Sequence, residues 1–294
     1  MKVTSTQRPL TERELLALAY LDRYRYRDTP HLFALIECGN RNAYYTIERL
    51  LNFGLIAQLP SPTFQRNSIG APRIYEATDR GRELLSNGGR LPRATLLKAG
   101  RYKEPLHNLN LCLATASFEL ACRAAGWGFY PWGEIETRTP GASHSFELTD
   151  GGKLHRVHPD NIFTIETPDD FACIALELDI TNHGAAEYRQ KFKLYEQIIY
   201  TGLYKRQLGM TQRFYVLTIS TNDAHTKNLM PCLPKRAAPF LFKTISEYGR
   251  FQKAPPPALA ILDGWFRADL RPRNLGDAIG HTADTRTTGQ ARRA

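Results

Sequence analysis

Residues 171–180 read Phe-Ala-Cys-Ile-Ala-Leu-Glu-Leu-Asp-Ile, apolar except for two acids near the end. A run of this length without a breaker is a strand buried on both faces, the kind found at the centre of a sheet. Side chains two apart on a strand share a face, so Glu177 and Asp179 stand together while Leu176 and Leu178 point the other way. A central strand that ends in paired carboxylates needs cover on both sides and a compensating charge. The flanking sequence supplies the cover. Residues 104–125 carry two apolar stripes at helical spacing, one of Leu111, Thr115, Phe118 and Cys122, the other of Leu109, Leu113, Ala116 and Leu120. A helix apolar on both sides is sandwiched. Strands are expected over 129–137, 156–165 and 213–219, and a helix over 185–203. The order helix, strands, helix, strand specifies an α+β or α/β unit, a mixed sheet with helices packed on it. Further along, the pattern suggests a helix near 240–248 and a short edge strand over 258–262. From 271 onward the chain is rich in Arg, Gly, Thr and Asp, with little to bury, and is expected to be a disordered basic tail.

The first hundred residues have a different organisation. Thr11 and Glu14 have capping-box spacing just before Leu15, Leu16, Leu18 and Ala19, which predicts a helix ending near Tyr24. Thr29 is placed to cap a second, short helix carrying Leu32, Phe33, Leu35 and Ile36. A third helix is predicted over 41–53, with Ala43, Ile47, Leu50 and Leu51 inward and Arg41, Asn42, Tyr45, Glu48, Arg49 and Asn52 outward. Gly54 ends it. Strands over 55–59 and 73–77 follow, separated by a polar loop over 60–72, and a closing helix starts at Thr78. Three helices and a long-looped hairpin are the order of a winged helix-turn-helix. Leu50 to Ile56 followed by Tyr75 to Gly81 resembles the recognition-helix-to-wing passage of bacterial winged-helix regulators. A recognition helix reads base edges with Arg and Asn, while basic wing residues touch phosphates. The DNA-contact candidates are therefore Arg41, Asn42, Tyr45 and Arg49 on the helix, with Arg66 and Arg73 on the wing. The plainer reading of the same fold is a protein-contact module whose polar residues are solvated. The expected organisation is a winged helix over 10–86, a basic linker over 87–103, an α/β domain over 104–270 and the tail over 271–294.

Charge narrows the partner. Lys plus Arg number 39 against 29 Asp plus Glu, a net charge of +10. Each cation seated on a phosphate releases condensed counterions, so the balance favours a polyanion. No apolar stretch approaches the roughly 20 residues that cross a bilayer, and residues 1–10 lack the apolar core of an export signal. The five cysteines lack paired metal-ligand spacing, and Cys112, Cys122 and Cys173 lie inside apolar segments as small hydrophobes. A reduced, cytoplasmic protein is expected. No phosphate-cradling glycine loop is present, which argues against an ATPase.

Three acids carry the chemistry: Asp160, after Pro159, and Glu177 with Asp179 on the apolar strand. Uncompensated, such a group suffers desolvation and mutual repulsion. A hard divalent cation, Mg²⁺ or Mn²⁺, relieves both. Mg²⁺ takes one or two carboxylates and completes its shell with water and phosphate. It can then activate water and neutralise a scissile phosphodiester. Pro-Asp, then an acid-x-acid strand end, resembles the PD-(D/E)XK nuclease fold. More closely, His107 at the start of its helix, His158-Pro159-Asp160, Leu176 to Asp179, Lys191 to Tyr195 and Phe214 to Leu217 resemble the replication-relaxation family. That family joins a winged helix to a nuclease-like domain and includes the C class of plasmid mobilisation relaxases.

The resemblance implies metal-dependent nicking of DNA, with Asp160, Glu177 and Asp179 as ligands. It also exposes a departure, since the nuclease pattern asks for lysine where the chain has Asp179. Lys191 sits at the margin of the helix face defined by Tyr188, Phe192, Tyr195 and Ile199, whereas Lys193 lies almost opposite, so Lys191 is the candidate to replace it. His107 and Glu119, from the preceding helix, are candidates to complete the site, and the tyrosines are read as core. The His-hydrophobic-His motif of tyrosine relaxases is absent. Double-stranded DNA is the expected partner, with single-stranded DNA at a nick and a second copy of the chain as further candidates. The alternative is a non-catalytic transcription or replication-control protein whose nuclease-like domain is degenerate and whose acids are solvated or paired.

Overall fold

The computed structural model describes residues 8–59, 73–86, 89–97, 105–180, 184–249 and 259–280. Helix α1 (Glu12–Tyr24) starts in the expected capping box: Thr11 Oγ1 accepts from the Glu14 amide at 3.3 Å, and Glu14 Oε2 accepts from the Thr11 amide at 2.7 Å. A two-residue strand β1 (Arg27–Asp28) leads into α2 (Thr29–Leu35). Its cap is Asp28, whose carboxylate accepts from the His31 amide at 3.0 Å, and Thr29 is the first helical residue instead of the cap. Helix α3 (Asn40–Asn52) buries Ala43, Ile47 and Leu50. Gly54, at φ +65°, then turns the chain into β2 (Ile56–Gln58). Strand β3 (Ile74–Ala77) pairs antiparallel with both β1 and β2, and α4 (Asp79–Leu85) follows its Thr78 cap. The wing loop over 60–72, with Arg66, lies outside the described residues.

The second unit begins with α5 (Pro105–Ala125), β4 (Gly128–Pro131) and α6 (Trp132–Arg138). The hairpin β5 (Phe146–Asp150) and β6 (Lys153–Val157) comes next, then β7 (Asn161–Glu166) and β8 (Phe171–Asp179). Helices α7 (Ala185–Tyr200) and α8 (Leu203–Leu208) precede β9 (Arg213–Ser220) and α9 (Asp223–Leu229). The chain finishes with β10 (Phe240–Thr244), β11 (Trp265–Phe266), β12 (Pro272–Arg273) and α10 (Leu275–Gly280). Seven strands form one mixed sheet in the order β12-β11-β10-β9-β8-β7-β4, with β8, β9 and β10 parallel. Strand β8 is interior, and its alternation sorts two cores. Ala172, Ile174, Leu176 and Leu178 pack towards α5 and α10, while Cys173 and Ala175 pack towards Tyr188, Phe192 and Tyr195 of α7.

Helix α5 is sandwiched because it serves both units. Leu111, Cys112, Phe118 and Cys122 enter the core beneath the sheet, whereas Ala116 and Leu120 join that of the winged helix. The segment expected to be a linker is threaded between them over 89–97. The Ala94 amide donates to Arg23 O at 2.8 Å, the Gly133 amide to Arg93 O at 2.7 Å, and Ala94 and Thr95 are buried.

Several expected elements differ. The strand over 129–137 stops at Pro131, which lacks the amide for a further ladder bond, and α6 turns Trp132 and Ile135 into the core. The strand over 156–165 is broken at 158–160, where Pro159 separates β6, paired with β5, from β7, paired with β8. The helix near 240–248 is strand β10, because Phe240, Leu241 and Phe242 bury on alternate faces of the sheet. Residues 259–262 form a 3-10 turn, and the edge strands are β11 and β12. The tail expected from 271 is ordered through 280, since Leu275, Ala278 and Ile279 form a helical stripe that is fully buried. Arg213 and Tyr215 hold its last carbonyls. Residues 281–294 lie outside the described residues.

Candidate functional site

Register brings the acids together. In the antiparallel pair β7–β8, Asn161 lies opposite Leu176, which sets Asp160 across from Glu177. Asn161 is buried and ties this corner down, its amide nitrogen donating to Ala94 O at 2.8 Å and Thr115 Oγ1 at 3.1 Å. Asp160 Oδ2 accepts from the Leu178 amide at 2.7 Å and contacts His107 Nε2, from the first turns of α5, at 3.2 Å. Burial pushes the Asp160 carboxyl up, but His107, Lys191 and the Leu178 amide together hold it below the usual carboxylate range.

Glu177 is 2% exposed. Lys191 Nζ, from α7, donates to its Oε2 at 2.5 Å, and the Tyr195 hydroxyl donates to Oε1. Burial raises the Glu177 carboxyl to about 7, aided by the charge on Asp160 and opposed by Lys191 and Tyr195. Burial likewise works against the Lys191 ammonium, yet Glu177 and Asp160 carry it above its ordinary value. Lys193 faces away and pairs with Asp150 at 2.6 Å. Asp160, Glu177 and Lys191 are thus one electrostatic group.

Asp179 is drawn elsewhere. Its Oδ2 bonds His225 Nε2 of α9, and the Tyr188 hydroxyl engages the same carboxylate. Glu119 is also elsewhere. It turns to the winged helix, accepting from Arg23 Nε at 3.1 Å, Arg123 at 3.3 Å and the Tyr24 hydroxyl. His225 carries no local signal in the sequence, and Tyr188 and Tyr195, at core spacing on α7, bond the acids as well as packing. Among the described residues, no three His, Cys, Asp or Glu side chains converge as ligands for one ion. The donor set that fits a divalent cation is smaller: two carboxylates at neighbouring strand ends, of which Asp160 is the more open at 24% side-chain exposure. Mg²⁺ takes one or two carboxylates and keeps several waters, so this pair would hold it in exchange for the donors now on Glu177.

On the winged helix, Arg41, Asn42, Tyr45 and Arg73 are exposed. Arg49 is a brace: it pairs with Glu14 at 2.9 Å and stacks on Phe53 at 5.2 Å. Among the described residues, no helix is long and apolar enough to cross a membrane.

A family model described as Replication-relaxation matches residues 10–214, a span from the start of the winged helix through α7 and α8 to the first residues of β9. No curated protein and no solved structure matches.

Proposed function

The chain belongs to the replication-relaxation family, and from that premise we propose that it works on DNA in the replication or mobilisation of a mobile element. The winged helix finds the site through Arg41, Asn42 and Tyr45, with Arg73 on the wing. The second unit nicks one strand. The observation that carries this reading is the grouping of Asp160, Glu177 and Lys191, two acids and a lysine at the end of a central strand.

Asp160 and Glu177 would hold Mg²⁺ or Mn²⁺, which when bound lowers the pKa of water and neutralises phosphate charge. His107 and the Leu178 amide keep Asp160 ionised and fixed in direction. Lys191 offers charge to a phosphate oxygen as substrate enters, from a position already beside both acids. The burial of Glu177 keeps bulk water from screening these charges.

The test is nicking of supercoiled plasmid across a Mg²⁺ and Mn²⁺ series. Nicking is expected with metal, lost in Asp160→Ala and Glu177→Ala proteins that still bind DNA. Undiminished cleavage by both variants rules out this site. One observation favours the non-catalytic reading: both Glu177 oxygens already have protein donors. That reading expects no thermal shift with millimolar Mn²⁺, whereas an ion bound only by the folded state raises the melting temperature.

A further inference from the structure

A second pair stands beside the acid–lysine group, and the proposed chemistry does not use it. Asp179, the last residue of β8, is 1% exposed. His225 lies in the first turn of α9, whose start is fixed by Asn222 accepting from the amides of Ala224 at 2.8 Å and His225 at 3.3 Å. From there the imidazole reaches Asp179 through Nε2. The Tyr188 ring, whose hydroxyl bonds the same carboxylate, meets the imidazole edge-on at 6.4 Å between centroids. The histidine ring is held from two sides.

Two features separate this pair from a plain structural bond. First, the imidazole is not sealed, since its side chain is 16% exposed while the Asp179 side chain is 0% exposed. Second, Asp179 Oδ1 is buried and has no hydrogen-bond donor among the described residues, although the strand beside it offers hydroxyls. Ser220, the β9 neighbour of Asp179, bonds Thr226 instead. A carboxylate can only accept, so a neutral imidazole in this contact carries its hydrogen on Nε2 and leaves the Nδ1 lone pair for a proton. A buried carboxylate that fixes the tautomer and direction of a partly open imidazole is an arrangement that prepares a proton acceptor. The pair also lies in the neighbourhood of the other acids. Asp179 shares a face of β8 with Glu177, two residues before it, and Tyr188 lies on the same helix as Lys191. The ionisable groups around His225 are Asp179 from β8 and Tyr188 from α7, with Asp223 and Lys227 on its own helix.

We propose that His225 is the general base of the strand cleavage, with Asp179 as its positioning residue; this rests on the nicking reading above. In the step, the oxygen of a water molecule bonds to phosphorus and its proton passes to His225 Nδ1. The bond from phosphorus to the sugar oxygen breaks, and that oxygen leaves with the electron pair and takes a proton from solvent. His225 then returns its proton to solvent.

The experiment compares wild type, His225→Gln and His225→Ala in the plasmid-nicking assay, with DNA affinity and melting temperature measured alongside. Gln retains a donor for Asp179 but cannot take a proton. The expected result is a nicking rate lowered by about 100-fold or more, with DNA affinity unchanged. Added imidazole should restore part of the rate to His225→Ala, which a merely structural histidine would not allow. Asp179→Asn should slow nicking and add little in the double variant with His225→Gln. Wild-type nicking rates in His225→Gln, or no imidazole rescue of a folded His225→Ala, overturn the proposal while the acid–lysine site stands. Absence of wild-type nicking with every metal overturns both.

Discussion

Glu119→Leu tests how the two units are joined. Glu119 on α5 is 8% exposed, and Arg23 on α1 is 7% exposed. They meet at 3.0 Å, and the Tyr24 hydroxyl donates to the same oxygen. Removing the acid leaves Arg23 buried, with Pro92 O at 3.1 Å as a remaining acceptor among the described residues. An orphaned buried charge costs about 3–5 kcal/mol, and the surviving bond places this case at the low end, about 3 kcal/mol. At about 2 °C per kcal/mol for a chain of this size, the melting temperature should fall by about 6 °C. Differential scanning calorimetry should show one transition before and after, because Ala116 and Leu120 of the same helix complete the winged-helix core. Glu119→Gln, which keeps an acceptor, should lose about half as much. Arg23→Met combined with Glu119→Leu should recover most of the loss, since it removes both charges. Two separated transitions in the wild type, or a loss below about 1 kcal/mol in Glu119→Leu, would refute the reasoning.

Two other outcomes follow from burial. Leu275→Ala, at a fully buried position of α10, should destabilise by about 3 kcal/mol in urea unfolding, although residues beyond 214 lie outside the family match. Of the five cysteines, Cys38 alone is half-buried and the other four are buried. The thiolate is the reactive form, and burial, with Glu119 nearby, raises Cys122 to about 12. A thiol reagent at pH 8 should therefore titrate one fast cysteine in the native protein and five in denaturant.

What the sequence made legible was local or periodic. The Thr11–Glu14 box is a three-residue relation, and β8 declares itself by an unbroken apolar run. Strand β1 has two residues and exists through pairing with Ile74 and Tyr75, so nothing within it announces a strand. Strand β10 is a short apolar run, which periodicity cannot divide between strand and helix. Its identity comes from lying parallel to β9 from Phe240 opposite Val216 to Thr244 opposite Ser220. In α10 the stripe of Leu275, Ala278 and Ile279 was present but overshadowed by the polar composition around it. His225 had no such signal. Its meaning depends on Asp179, 46 residues away in sequence and brought near by the β8–β9 pairing.

The acid–lysine group tests whether a charge can move between elements and keep its place in space. Asp179 stands where the nuclease pattern asks for lysine, yet a lysine still reaches Glu177, because α7 packs Tyr188, Phe192 and Tyr195 onto the same face of the sheet. A phosphate responds to where a charge lies, not to the element that carries it. Lys191→Met should then lower nicking by about 100-fold, leaving Glu177 with Tyr195 as its remaining donor. Lys193→Met removes the same charge two residues away, but from a solvent-screened pair with Asp150, and nicking should be unchanged. Equal effects from the two would mean that only net charge matters, and the assignment of Lys191 to the phosphate would fall. A loss confined to Lys191→Met would tie the effect to position, since both variants carry the same net charge.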